Sequence, residues 1–290
     1  MIEKYYSGVI EQIYNRIGKE TRNIVMANYS NDFSIENLEV IRRYQSNEDN
    51  VFFAYSEFSY NTLIGAYEPF LDIICNMHRR FIGGSFDDFQ KECGVYYLHR
   101  QVLNSYYETG ECFREETVLL NEVAYEQRRM TMAIADMLKR LSEVRPLMIV
   151  INRFQMASKS SIETIKYLID NPCANIGIVL GVNAIVKGAD STVEVWDRIV
   201  ESLEDRSAIY YIGSAGPLKN NIKTTNDDEL YITMNFEQSI QEASNIMEFL
   251  DYEQARRGCR IIEHKIKFEN AWIDEKSLRR FYLVYARTSV

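Results

Sequence analysis

Two stretches of the chain carry residues at spacings that could handle a nucleoside phosphate. In the first, residues 27–34 read Ala-Asn-Tyr-Ser-Asn-Asp-Phe-Ser and follow the spacing of a phosphate-binding loop, G-x-x-x-x-G-K-[ST]. Such a loop works because glycines let backbone amides face the phosphates, a lysine neutralises the outer ones, and a hydroxyl binds magnesium. Here Ala27 and Asp32 stand at the glycine positions, Phe33 stands at the lysine position, and only Ser34 matches. In the second, the apolar run Met148 to Ile151 is followed by Asn152 and Arg153. Two carboxylates would be needed there to anchor magnesium and orient water.

These departures have a size. A hydrogen bond to a charged group contributes about 1.5–3 kcal/mol, so Phe33 in place of lysine weakens phosphate binding by roughly tenfold to a hundredfold. A carboxylate at Asp32 would repel the phosphates. Asn152 can offer a neutral carbonyl to a metal, whereas Arg153 can accept neither a metal nor a proton. ATP hydrolysis is therefore predicted to be absent, and no cofactor is expected. The competing reading is a switch that holds ATP or ADP with magnesium through Ser34, Asn152 and Asn183 without fast turnover. Arg153 itself has two readings: an ion pair with Asp32 across the former pocket or, more plainly, a strand-end side chain in solvent. Tyr29 and Phe33 either plug the pocket or pack in an ordinary core, and packing is the plainer expectation.

The elements that must position these residues follow from hydrophobic pattern. Residues 23–29, 51–55, 147–151, 176–182 and 208–212 are apolar on consecutive positions, as strands covered on both faces should be. Helical spacing runs from Ser34 to Tyr44, from Ala66 to Arg80, from Asn121 to Val144, from Asp190 to Leu203 and from Glu237 to Arg257. Ser160 and Glu163 read as a capping box for a helix that Asp170-Asn171-Pro172 ends. Gly213 to Asn226 reads as a loop, and residues 265–290 mix strand and helix signals. Alternation of strand and helix predicts a mostly parallel sheet with helices on both faces.

The order of these pieces resembles a known family. "PLMIVINRFQMASKSSIETIKYLI", residues 146–169, is similar to the Walker B region of the STAND signal-transduction ATPases, an AAA-like branch with bacterial transcription activators among its members. The matching positions are Phe154, Gln155, Ala157, Ser161, Ile162, Glu163, Ile165 and Leu168, while Asn152, Arg153 and Ser158 replace the family's acidic residues. "VFFAYSEF" with "GAYEPFLDII" resembles the second strand and the helix start after it. "IGIVLGVNAI", residues 176–185, resembles the sensor strand with Asn183 at its tip, and "ELYITMNFEQSIQEASNIM" resembles the start of the lid.

The resemblance implies a P-loop NTPase-like three-layer α/β sandwich with a five-stranded sheet, spanning residues 1–228, and a C-terminal helical lid or small subdomain over residues 229–290. It implies a degenerate nucleotide pocket made of Ala27, Asp32, Phe33, Ser34, Asn152, Arg153 and Asn183. It further implies a non-catalytic regulatory or protein-interaction module whose partners are other proteins, further domains of one polypeptide, or copies of itself in an oligomer. The end at "YLVYARTSV" suggests a fragment of a longer regulator. An unrelated α/β enzyme with an unrecognised site is the remaining alternative.

Composition narrows the rest. With 290 residues, 46% of them hydrophobic and only four prolines, the chain can bury a large core. A net charge of -9 argues against a general binder of nucleic-acid backbones. Five cysteines, at 75, 93, 112, 173 and 259, show no paired spacing, and the histidines at 78, 99 and 264 have no partner at metal spacing. Ser158-Lys159 reads as helix capping, Gly83-Gly84-Ser85 as a turn, and Asp87, Asp88 and Glu92 as a solvated helix start. No secretory signal or membrane span is recognisable, so a cytoplasmic protein is expected.

Overall fold

A computed structural model describes residues 2–29, 38–46, 50–58, 64–113, 122–183, 186–187, 193–212, 223–224, 236–268 and 273–288. Its centre is a sheet of five parallel strands: β1 (Ile24–Tyr29), β2 (Phe52–Glu57), β3 (Leu147–Asn152), β4 (Ile176–Asn183) and, after a two-residue strand β5 (Val186–Lys187), β6 (Ile209–Ile212). The spatial order is β2-β3-β4-β1-β6, and β5 pairs separately with β7 (Lys223–Thr224). Every pairing in the main sheet is parallel, so the sheet is wholly rather than mostly parallel. All residues of β3 and β4 are buried.

Alternation along the strands divides the core into two. Met26, Ile149, Ile151, Ile178 and Leu180 face α6 (Val123–Val144), α7 (Lys159–Asp170) and α8 (Val193–Asp205). Val25, Ala27, Tyr29, Met148, Val150 and Val179 face α1 (Ile2–Arg16) and α2 (Glu39–Ser46). α1 lies close on the sheet at Gly177, where a Cβ would come within 2.8 Å of the Ile17 side chain.

Three helices expected in outline take sharper forms. Residues 66–80 become a turn, then α3 (Phe70–Met77), then a π-helical turn at His78–Ile82. α4 (Phe86–Glu92) and α5 (Tyr97–Thr109) follow. Asp87 at the head of α4 pairs with Lys91 and Arg100, as a solvated helix start would. The cap of α7 is Ser158, whose hydroxyl accepts the Ser161 amide at 3.4 Å, and not the expected Ser160. Ser160 is occupied elsewhere, because its hydroxyl accepts the Tyr67 amide at 3.1 Å.

The helix expected from Glu237 to Arg257 is two helices, α9 (Phe236–Glu248) and α10 (Tyr252–Phe268). Leu250 takes a left-handed conformation, φ 67°, and Asp251 starts the second helix by accepting the Gln254 amide at 3.3 Å. α11 (Glu275–Thr288) resolves the mixed signal of the last residues as helix. α9, α10 and α11 bury Ile246, Cys259 and Phe281 among the large core. They dock on the core through Phe249, whose ring meets Tyr67 at 5.7 Å and Tyr106 at 6.0 Å. Asn245 reinforces the dock by accepting the Cys112 amide and donating to the Gly110 carbonyl, each at 3.0 Å. Among the described residues, no helix is long and apolar enough to cross a membrane.

Candidate functional site at the carboxyl ends of the strands

In an open parallel sheet the ligand crevice lies outside the carboxyl ends of the strands, where neighbouring strands send their connections to opposite faces. β1 and β4 are such neighbours: β1 leads towards α2 on one face and β4 towards α8 on the other. Asn152, Arg153 and Asn183 therefore stand where a ligand would be expected. Each is engaged by the protein itself.

Asn152 is fully buried at the end of β3. Its side-chain oxygen accepts the Tyr29 hydroxyl at 2.6 Å and the Arg153 amide at 2.9 Å. The neutral carbonyl that a metal would need is thus already used. Tyr29 ends β1 fully buried and packs edge-on against Tyr6 of α1, with ring centroids 6.5 Å apart. Burial and the nearby Tyr29, Tyr55 and Glu57 push the Tyr6 hydroxyl well above its usual pKa, so it stays neutral.

Arg153 holds a left-handed backbone, φ 55°, which for a non-glycine residue must be stabilised by its surroundings. Its guanidinium lies 3.4 Å from Glu57 at the end of β2, and the two side chains are only 19% and 18% exposed. Glu57 in turn accepts the Tyr55 hydroxyl at 2.5 Å. The expectation of a solvated Arg153 is corrected: register places Glu57 directly beside Asn152, and the carboxylate draws the arginine in. The alternative pairing with Asp32 lies outside the described residues, as do Phe33 and Ser34.

Ala27 lies inside β1, opposite Gly181 of β4, and the strand continues through Tyr29. Only residues 30–34 of the aligned loop follow the strand. Asn183 closes β4, 5% exposed, and its amide donates to Gln155 Oε1 at 3.3 Å. Gln155 and the fully buried Phe154 form a short 3-10 turn, and Phe154 packs between Phe58 at 6.5 Å and Trp196 at 5.9 Å. The structure thus brings together Asn152, Arg153 and Asn183 with Tyr29, weighed from the sequence as a pocket plug or a core residue, and with Glu57 and Gln155, which sequence reasoning did not assign to a site. Glu57 could have been noticed as the one acid at the end of an otherwise uncharged strand.

The network makes Tyr29 the simplest probe. Tyr29→Phe removes the donor to a buried acceptor, and a loss of about 1–3 kcal/mol in unfolding free energy is expected from urea denaturation. No measurable loss would mean that Asn152 is satisfied without Tyr29.

A second group escaped the sequence altogether. At the dock of the C-terminal helices, Asp251 is 4% exposed and its carboxyl is pushed up by burial. It borders a water-sized cavity of about 10 Å³ together with Lys159, Ser160 and Glu163. At the opposite end of the sheet, a cavity of about 180 Å³ is lined by Arg16, Arg22 and Arg206. Arg206 donates to the Ile169 carbonyl at 2.6 Å in the last turn of α7 and so serves the negative end of that helix, while Arg16 in the last turn of α1 pairs with Glu20 at 3.6 Å. Among the described residues, no group of three or more His, Cys, Asp or Glu is placed to hold a metal ion.

Compared with known proteins, the chain matches no family model, and it has no significant match among curated proteins.

Proposed function

We propose that the chain is a P-loop-like α/β module of the STAND, AAA-like kind, kept for its shape, which serves as a regulatory or protein-interaction domain without hydrolysing ATP. The observation that carries this reading is the end of β3, where Asn152 is held by Tyr29 and Arg153 faces Glu57. Hydrolysis needs free carboxylates at that point to anchor magnesium and orient water; an amide and an arginine, both already engaged, cannot do either.

Topology supports the reading from another side. Counted along the chain, the five main strands lie in the order 5-1-4-3-2, with the fourth strand inserted between the first and third. That insertion separates the sheet from the dinucleotide-binding order 3-2-1-4-5-6 and from the flavodoxin-like order 2-1-3-4-5. It agrees with an AAA-like core. In this reading residues 229–290 are the helical lid or small subdomain, and the partners are proteins, further domains of the same polypeptide or copies of itself in an oligomer. The setting is a cytoplasmic signalling or transcription regulator.

Calorimetric and thermal-shift titration with ATP-magnesium and with ADP tests the reading. No binding is expected up to about 1 mM, a limit that corresponds to about -4.1 kcal/mol. Micromolar binding that is lost on Ser34→Ala would overturn it in favour of a nucleotide-held switch.

A further inference from the structure

The helical unit α9–α11 meets the core across two glutamates that face one another. A methyl group on Gly65 would lie 2.6 Å from Glu242 Oε1 and 2.7 Å from Glu68 Oε1. Glu68 belongs to the core, just before α3, and Glu242 to α9. Their carboxyl groups therefore converge on one backbone position from the two sides of the dock, and both residues are partly buried. The titratable groups facing them among the described residues are Asp72 on α3 and Tyr106 on α5. Tyr106 donates its hydroxyl to Asp72 at 3.0 Å, and burial followed by these carboxylates raises its own pKa, so it supplies no positive charge. Asn245 supplies Glu242 with a hydrogen bond, and the Gly65 backbone supplies one to Glu68.

We propose that Glu68 and Glu242 form a proton-held latch, which keeps α9–α11 docked while the pair retains a proton and loosens the dock when both carboxyls ionise. The inference concerns the dock alone and stands whether or not the core binds a nucleotide. Two carboxylates at one buried point repel each other and have lost solvent, whereas one shared proton relieves both costs.

Burial, then the Glu242 charge, pushes the Glu68 carboxyl up to about 8, and burial, then the Asp72 charge, pushes Glu242 up to about 7, from 4.5. Undocked and solvated, both would titrate near about 4.3. Between these limits the undocked form has released protons that the docked form retains. Docking is therefore strongest at the acid side, weakens as pH rises from about 4.5 to about 8, and levels off above that. Each carboxyl forced to ionise weakens docking by up to about tenfold per pH unit within its window.

Amide hydrogen exchange followed by mass spectrometry on the full chain from about pH 5.5 to 8.5, corrected for intrinsic exchange, reads this directly. Exchange in α9 and α10 is expected to rise relative to β3 and β4 across the window, and Glu242→Gln is expected to flatten the rise. Glu68→Gln should act in the same direction and serves if the first variant folds poorly. Glutamine mimics the protonated acid, so failure of both variants to fold would overturn the latch. It would equally be overturned by pH-independent protection of α9 and α10, by a profile unchanged in both variants, or by β3 and β4 losing protection in parallel.

Discussion

Phe249→Ala is expected to destabilise the protein by about 3–5 kcal/mol, the usual cost of emptying a buried phenylalanine site. Phe249 is 2% exposed and directly follows α9, with its ring set against Tyr67 and Tyr106. Tyr67 precedes α3 and Tyr106 belongs to α5, so one side chain joins the C-terminal helices to two parts of the core. Its loss would leave the apolar contacts of Ile246 and Cys259 and the polar ones of Asn245, of Gln127, which donates to the Leu250 carbonyl, and of Gln254, which donates to the Ile64 carbonyl at 3.2 Å. Urea denaturation followed by circular dichroism checks the magnitude. Loss of a single cooperative transition would show that the helices and the core then unfold separately, whereas a cost under about 1 kcal/mol would show that Phe249 is not the anchor.

The second large effect is expected at Phe154→Ala, again about 3–5 kcal/mol. Phe154 is fully buried, and it fixes the turn after β3 against Phe58 and Trp196. Because it neighbours Arg153 and Gln155, its removal should also loosen the contacts that fill the strand ends. Trp196 emission, read in a Trp272→Phe background because the chain has two tryptophans, provides a local readout: a shift in the folded state together with a lower urea midpoint is the expected pair of changes. A stability loss with unchanged emission would mean that the turn keeps its place without the ring.

Much of the sheet could be read from the sequence because its physics is local. Five apolar runs marked five strands within about two residues, most plainly the wholly buried β3 and β4, whereas the edge strands β2 and β6 are partly exposed. Asn152 and Asn183, singled out through the resemblance, do stand at the carboxyl ends of β3 and β4.

What stayed hidden depends on features with no local signal. Leu250 and Arg153 both take positive φ, where a sequence would be expected to show glycine or asparagine. The break between α9 and α10 was therefore read as continuous helix. The partner of Arg153 depends on which strand lies beside β3 and in what register, and neither is written in a single segment. α1 was a different kind of miss: Tyr6, Val9, Ile10, Ile13 and Ile17 do lie at helical spacing and bury one face, yet tyrosines and β-branched residues around them blur the pattern. The facing of Glu68 and Glu242, far apart in sequence, could only come from tertiary packing.

The turn between β3 and α7 carries one further consequence. Its first residue, Arg153, belongs to the polar cluster on the α1 face of the sheet, and just beyond its end Ser160 holds the Tyr67 amide beneath the C-terminal helices. The two regions lie on opposite faces, but this short, buried stretch is rigidly built, with Phe154 and Ser158 fixed at its ends. Arg153 and Ser160 thus bound one continuous buried segment that ties the strand ends on one face of the sheet to the contact beneath α9–α11 on the other.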